Sequence, residues 1–196
     1  DEIPVGMRQE GRAMLSAIVE DLSEFASTRV ITDARLGLKF KSADQVEFNV
    51  DQPIWAQWVD AAQGCDAAVL IAPESDGVLA MGVAALRSAG IDVVAGSGDF
   101  LRVAGDKLLT AQVMHASGIP HPIYLAQEDQ KLIDQFNGVT KCVVKPRDGC
   151  GTQAIETYGS FAEAREKLDD KSILQGWVPG RSVSIAYLAS GANQTF

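Results

Sequence analysis

The residues best suited to chemistry lie between Lys141 and Ile155, which read Lys-Cys-Val-Val-Lys-Pro-Arg-Asp-Gly-Cys-Gly-Thr-Gln-Ala-Ile. Lys145 precedes a turn over 147–152 that holds glycines at 149 and 151. Glycine lets a backbone approach a ligand closely, and successive amide N–H groups can surround an anion. A lysine beside such a turn adds a compact positive charge. Together they have the chemistry of phosphate binding. The same residues also suit an ordinary hairpin with a solvated lysine, and the turn alone does not separate the two. It is not a Walker A loop, because no Gly-Lys-Ser/Thr follows the glycines.

A second lysine, Lys107, follows Gly105-Asp106 at the start of a predicted helix. Asp106 suits the cap, but a lysine in the first turn opposes the helix dipole. Such broken local rules occur at functional sites, although an exposed helix also tolerates them. Glu74 and Asp76 follow an apolar run and fit either a helix-start pair or a substrate contact. His115 and His121 have no Cys or carboxylate at ligand spacing, so no metal site is assigned to them. No residue stands out as a general base.

The elements that must hold these residues follow from periodicity. Met14, Ile18, Leu22 and Phe25 mark the stripe of a helix over about 7–25. Strands are expected at 29–32 and 46–50, then a helix from Pro53 whose Ile54, Trp55, Trp58, Val59 and Ala62 face the core. The tryptophans read as packing rather than a ligand platform. The runs 67–72 and 91–95 read as parallel strands buried on both faces, with a helix between them. Strand and helix alternation predicts an open parallel α/β sheet, with ligands beyond the strand carboxyl ends. Short helices are expected at 99–104, 106–117 and 129–136. Beyond them come a strand at 142–144, the glycine turn and a strand at 153–158. Ser160-Phe-Ala-Glu163 then opens a capping box. Strands at 173–178 and 183–189 and a turn at 190–193 complete the pattern.

The chain has 196 residues and a formal charge of −9, which argues against a general nucleic-acid surface. Its composition, 46% hydrophobic and 22% charged, is that of a globular protein with a real core. No apolar run approaches the roughly 20 residues of a membrane span. Cys65, Cys142 and Cys150 are scattered and form no Cys-x-x-Cys pair, which fits a reducing cytoplasmic setting without disulfides or zinc.

Four motifs in order resemble the ATP-grasp superfamily: Gly105-Asp106-Lys107, Val143-Val144-Lys145-Pro146, Asp148-Gly149-Cys150-Gly151-Thr152, and the segment Ile173–Ser184. Ile71-Ala72-Pro73-Glu74 and the units before it resemble the family's amino-terminal domain. The resemblance implies a parallel α/β domain over 1–104, then the first half of an α+β ATP-grasp domain with antiparallel strands over 105–196. It implies an ATP site made by Lys107 and Lys145 on the phosphates, Gly149, Cys150, Gly151 and Thr152 over them, and Gln175, Trp177 and Val178 at adenine. The activity implied is ATP-dependent carboxylate–amine ligation through an acyl phosphate, on small-molecule carboxylate and amine substrates and compatible with a homodimer. The Lys-Pro-Arg-Asp-Gly run is similar to that of amino-acid ligases such as the tyramine–glutamate ligase group.

Two positions depart from the pattern. Gln175 stands where many members carry the hinge carboxylate, and Ser182 where a ribose-binding glutamate is common. The resemblance also implies that an initial strand is missing, that no strand returns after 190–193, and that magnesium ligands lie beyond Phe196. The 196-residue span alone is therefore expected to be inactive. A non-catalytic nucleotide-binding or regulatory module is the alternative. A dinucleotide oxidoreductase is disfavoured because no Gly-x-Gly-x-x-Gly follows a first strand.

Overall fold

The computed structural model describes residues 5–149, 154–185, 189–190 and 194–195. The chain divides into two compact units. Unit 1 holds residues 1–119 and 146–155; unit 2 holds 120–145 and 156–196.

Unit 1 opens with helix α1, Val5–Ser23. Of its expected stripe, Ile18 and Leu22 are half-buried beside the buried Val19, Met14 is exposed, and Phe25 lies past the helix end and is exposed. Strands β1 (Thr28–Asp33) and β2 (Ala43–Phe48) follow and pair in parallel, Thr28 with Ala43 through Asp33 with Phe48. β1 buries Val30 and Thr32 and leaves the alternating positions more open, the period of a half-buried strand. Gln45 satisfies the Thr32 hydroxyl by donating to it at 2.8 Å.

Helices α2 (Ile54–Ala62), α3 (Val78–Ser88), α4 (Gly98–Ala104) and α5 (Lys107–Ala116) complete unit 1. Its core joins Val83, Leu86, Ile91 and Val93, with Trp58, Val59, Leu70 and Leu101 packed against them. Trp55 and Trp58 meet edge to face at 5.1 Å. Trp58 is therefore core packing, as its helical spacing predicts.

The runs 67–72 and 91–95 differ from expectation. They meet through a single parallel bridge, Ala68 with Val93, made by Ala68 N–H to Asp92 O at 2.8 Å and Val94 N–H to Ala68 O at 2.9 Å. Val69 and Val94 are exposed, so the runs are not buried on both faces. Apolar character alone does not fix the hydrogen bonding that defines a strand.

Unit 2 contains a four-stranded sheet in the order β3-β6-β4-β5. The strands are β3 (Tyr124–Leu125), β4 (Cys142–Pro146), β5 (Glu156–Tyr158) and β6 (Ser172–Gly176). β3 pairs antiparallel with β6, and β4 with β5. Every residue of β6 is buried, as suits a strand flanked on both edges. Leu125, Phe136, Cys142, Val144, Ala164, Leu168 and Leu174 form the core, and Phe136 stacks on Phe161 at 4.7 Å.

Ser160 caps α6 (Phe161–Glu166) by accepting from Glu163 N–H, as the capping-box pattern predicts. The helix expected at 129–136 is a 3-10 helix, Gln130–Phe136. The strand expected at 183–189 is not formed at residues 181–185, which carry no regular structure; 186–188 lie outside the described residues. Nor does the chain lack a returning strand: β7 (Ala189–Ser190) pairs antiparallel with β8 (Gln194–Thr195). Among the described residues, no helix is long and apolar enough to cross a membrane.

Candidate functional site

Within unit 1, the start of α5 and the turn after β4 are locked together. Asp106 is the N-cap: its Oδ1 accepts from Leu108 N–H at 2.8 Å and from Leu109 N–H at 3.2 Å. That satisfies two of the amides that every helix start leaves unpaired. Asp106 also accepts from the Arg147 guanidinium at 2.6 Å. Burial alone would raise the Asp106 pKa. Arg147 and the two cap amides outweigh it and hold the carboxyl below its ordinary value.

Lys107 then reaches the turn twice. Its N–H donates to Arg147 O at 2.8 Å, and its ammonium donates to Gly149 O at 2.8 Å. Gly149 has φ 98, a conformation that side-chain-bearing residues rarely adopt. The turn's glycine is thus conformationally required, and the first-turn lysine has a structural partner. An ammonium has three donors, so a bond to Gly149 is compatible with one to a phosphate.

Glu74 makes no capping bond at its turn. Asp76 sits at φ 55, and its N–H donates to Asp148 Oδ2 at 3.1 Å. The pair does stand at a helix start, Glu74 at the N-cap and Asp76 in the first turn of the 3-10 helix Ser75–Gly77 that leads into α3, without a side-chain capping bond. Glu74 borders a cavity of about 270 Å³ that is also lined by Leu79, Leu101, Arg102, Asp106 and Asp148. A larger groove beside β1, β2 and α2 touches none of the expected site residues.

Unit 2 carries the remaining residues. Lys145 lies near the end of β4, half-buried. Gln175 is a buried polar residue on β6, opposite Tyr124. Trp177 and Val178 follow the strand and are exposed. Trp177 N–H donates to Lys141 O at 2.9 Å, and the Lys141 ammonium sits 4.1 Å from the Trp177 ring centroid. Gly176 is tightly enclosed: a Cβ there would lie 2.8 Å from Ile123 Cγ1.

Of the expected residues, Lys107 and Gly149 are brought together in unit 1. Gln175, Trp177 and Val178 lie close in sequence around the end of β6 in unit 2. Cys150, Gly151 and Thr152 lie outside the described residues. Sequence reasoning missed Arg147 and Lys141 as partners of these residues. Arg147 lies 41 positions from Asp106, beyond the reach of any local pattern. Among the described residues, no group of three His, Cys, Asp or Glu could hold a metal ion.

Two family models match the chain, a pre ATP-grasp 3 domain over residues 26–99 and an ATP-grasp domain over residues 104–196. No curated protein matches it. Among solved structures, it is similar to a protein from Archaeoglobus fulgidus assigned to the ATP-grasp superfamily. There the TM-score is 0.67 and the identity 16%, over 92% of this chain and 50% of that one. A second is the biotin carboxylase domain of 2-oxoglutarate carboxylase from Hydrogenobacter thermophilus, solved with MgADP, ADP and bicarbonate. The TM-score is 0.62 and the identity 17%, over 83% of this chain and 42% of that one. A third is N5-carboxyaminoimidazole ribonucleotide synthetase from Thermus thermophilus, with TM-score 0.57 and 19% identity, over 86% and 44% of the two chains. The chain therefore spans half or less of the length of each of these three structures.

Proposed function

This chain belongs to the ATP-grasp superfamily, and from that premise we propose that it binds ATP as part of an ATP-dependent carboxylate–amine ligase. The observation that carries the reading is the junction of Lys107, the α5 N-terminus and Gly149. The first amides of α5 are taken by Asp106 and by Arg147 O, so the anion-binding group at this junction is the Lys107 ammonium, bonded once to the Gly149 carbonyl and carrying further donors for a phosphate.

ATP would supply a phosphoryl group to a carboxylate, and an amine would then displace phosphate from the acyl phosphate. Such transfer depends on charge neutralisation and positioning more than on a protein nucleophile. Lys107 and Lys145 neutralise phosphate charge in this reading. The backbone of Gly149, Cys150, Gly151 and Thr152 covers the phosphates. Gln175 and the backbone at Trp177 and Val178 hold the base. Because Trp177 N–H is engaged by Lys141 O, the backbone contacts fall to the Trp177 carbonyl and to Val178. Among the described residues no group of three His, Cys, Asp or Glu could hold a metal ion, and no step here is assigned to magnesium. The division at residues 104 and 105 belongs to the same proposal, because the two family matches change over near it.

Calorimetry on the 196-residue chain tests the reading. A charge-assisted hydrogen bond is worth roughly 1.5–3 kcal/mol. Lys107→Ala and Lys145→Ala should each weaken ATP by about 10- to 100-fold. Adenosine, which lacks phosphate, should be affected far less. Equal losses for both ligands would point to a damaged fold, and no ATP binding by the unsubstituted chain would overturn the reading. In a complete chain of the family, phosphate release that requires both a carboxylate and an amine separates a ligase from a non-catalytic nucleotide-binding module.

A further inference from the structure

Each described residue of the turn after β4, Arg147, Asp148 and Gly149, is tied to another part of unit 1. Arg147 binds Asp106 through two guanidinium contacts, at 2.6 and 3.4 Å. Its carbonyl accepts from Lys107 N–H. Asp148 Oδ2 accepts from Asp76 N–H. Gly149 O accepts from the Lys107 ammonium. Asp106 is shared, since the carboxylate that holds Arg147 also caps the helix bearing Lys107. The Arg147 and Asp106 side chains are 30% and 23% exposed, so the pair is shielded more than an ordinary surface ion pair.

We infer that Arg147 is a positioning residue for phosphate binding: by gripping the cap carboxylate Asp106, it fixes the segment 147–149 against the helix start that carries Lys107. The inference rests on the ATP reading above and goes beyond it, because Arg147 acts through Asp106 and is assigned no contact with the nucleotide. The physical logic is preorganisation. An ammonium and a Gly149 carbonyl already held in place lose less freedom when a phosphate binds beside them, so affinity for the phosphate part of the ligand rises. A planar guanidinium suits this task, because it meets a carboxylate with two donors at fixed spacing, whereas an ammonium is a single point charge.

The test compares ATP and adenosine binding to the 196-residue chain and to Arg147→Ala, Arg147→Lys and the charge-neutral double variant Asp106→Asn/Arg147→Met. Expected for Arg147→Ala is a loss of about 10-fold in ATP affinity, with adenosine changed by less than about 2-fold. Arg147→Lys should recover part of the loss. The double variant, which restores the charge balance but not the grip, should stay as weak as Arg147→Ala. ATP affinity in Arg147→Ala equal to that of the unsubstituted chain overturns the inference and leaves the ATP reading standing. Full recovery in the double variant also overturns it, because local charge and not position would then be the cause. Failure of the unsubstituted chain to bind ATP overturns both. If Arg147→Ala does not fold, Arg147→Lys with intact melting behaviour makes the same comparison.

Discussion

Lys141 holds Trp177 at two points: its carbonyl accepts the Trp177 N–H at 2.9 Å, and its ammonium lies 4.1 Å from the indole centroid. The backbone bond fixes where the chain leaves β6. The cation then covers one side of a ring that is 46% exposed. An exposed cation–π contact is worth about 0.5–1 kcal/mol. Lys141→Met should therefore lower unfolding free energy in urea by about that amount, and Lys141→Arg by less, since Arg also stacks on aromatic faces. The backbone bond survives both changes, so a loss several times larger would show that the ammonium does more than cover the ring.

Gly82 gives a sharper test of the unit 1 core. A Cβ there would lie 2.6 Å from Leu70 Cδ2, 2.8 Å from the Trp58 ring and 3.0 Å from the Trp55 ring. The Leu70 methyl can move, but the tryptophan rings meet edge to face and cannot both yield. Gly82 lies inside α3, where alanine would normally be the better helix former by roughly 1 kcal/mol. Overpacking typically costs about 1–3 kcal/mol and should exceed that gain. Gly82→Val should destabilise the chain more than Gly82→Ala, with tryptophan emission shifted in the folded state. A more stable Gly82→Ala would mean that the rings repack freely.

What the sequence disclosed was mostly local. Asp106 as a cap, Ser160 as a cap and the β4 strand leading to Lys145 all followed from short-range pattern and were found in place; the strand expected at 173–178 is β6, which ends at Gly176 and leaves Trp177 and Val178 exposed beyond it. In α1 four apolar positions at helical spacing do not say which edge of the stripe lies deepest: Val19 is buried, Ile18 and Leu22 half-buried and Met14 exposed. Ala67–Ala72 looked like a strand because apolar character was read as burial, but only Ala68 found a bridge partner. The partners of the candidate site were the least legible. Lys107 meets Gly149 across 42 positions and Arg147 meets Asp106 across 41, contacts that only the folded backbone creates.

The Asp106 carboxyl also makes acid stability testable. Its pKa is held below the ordinary 3.8, with the penalty of burial outweighed by Arg147 and by the amides of Leu109 and Leu108. A carboxylate with a lowered folded pKa stabilises fully above its unfolded pKa, and loses that contribution as pH falls through the folded value. Loss of an N-cap costs about 0.5–2 kcal/mol, so Asp106→Ala should lower stability by at least that much at pH 7. The difference from the unsubstituted chain should hold down to about pH 5, then narrow below about pH 4 as the native carboxylate protonates. Asp33 is also held low, by its hydrogen bonds from Arg35, and titrates in the same direction in both proteins. It therefore cancels when the two are compared. Urea midpoints for both proteins at pH 7, 5 and 3 provide the measurement. A gap as wide at pH 3 as at pH 7 would mean that the charged form of Asp106 contributes nothing beyond its shape, and would leave Arg147 without the ionic grip on which its positioning role depends.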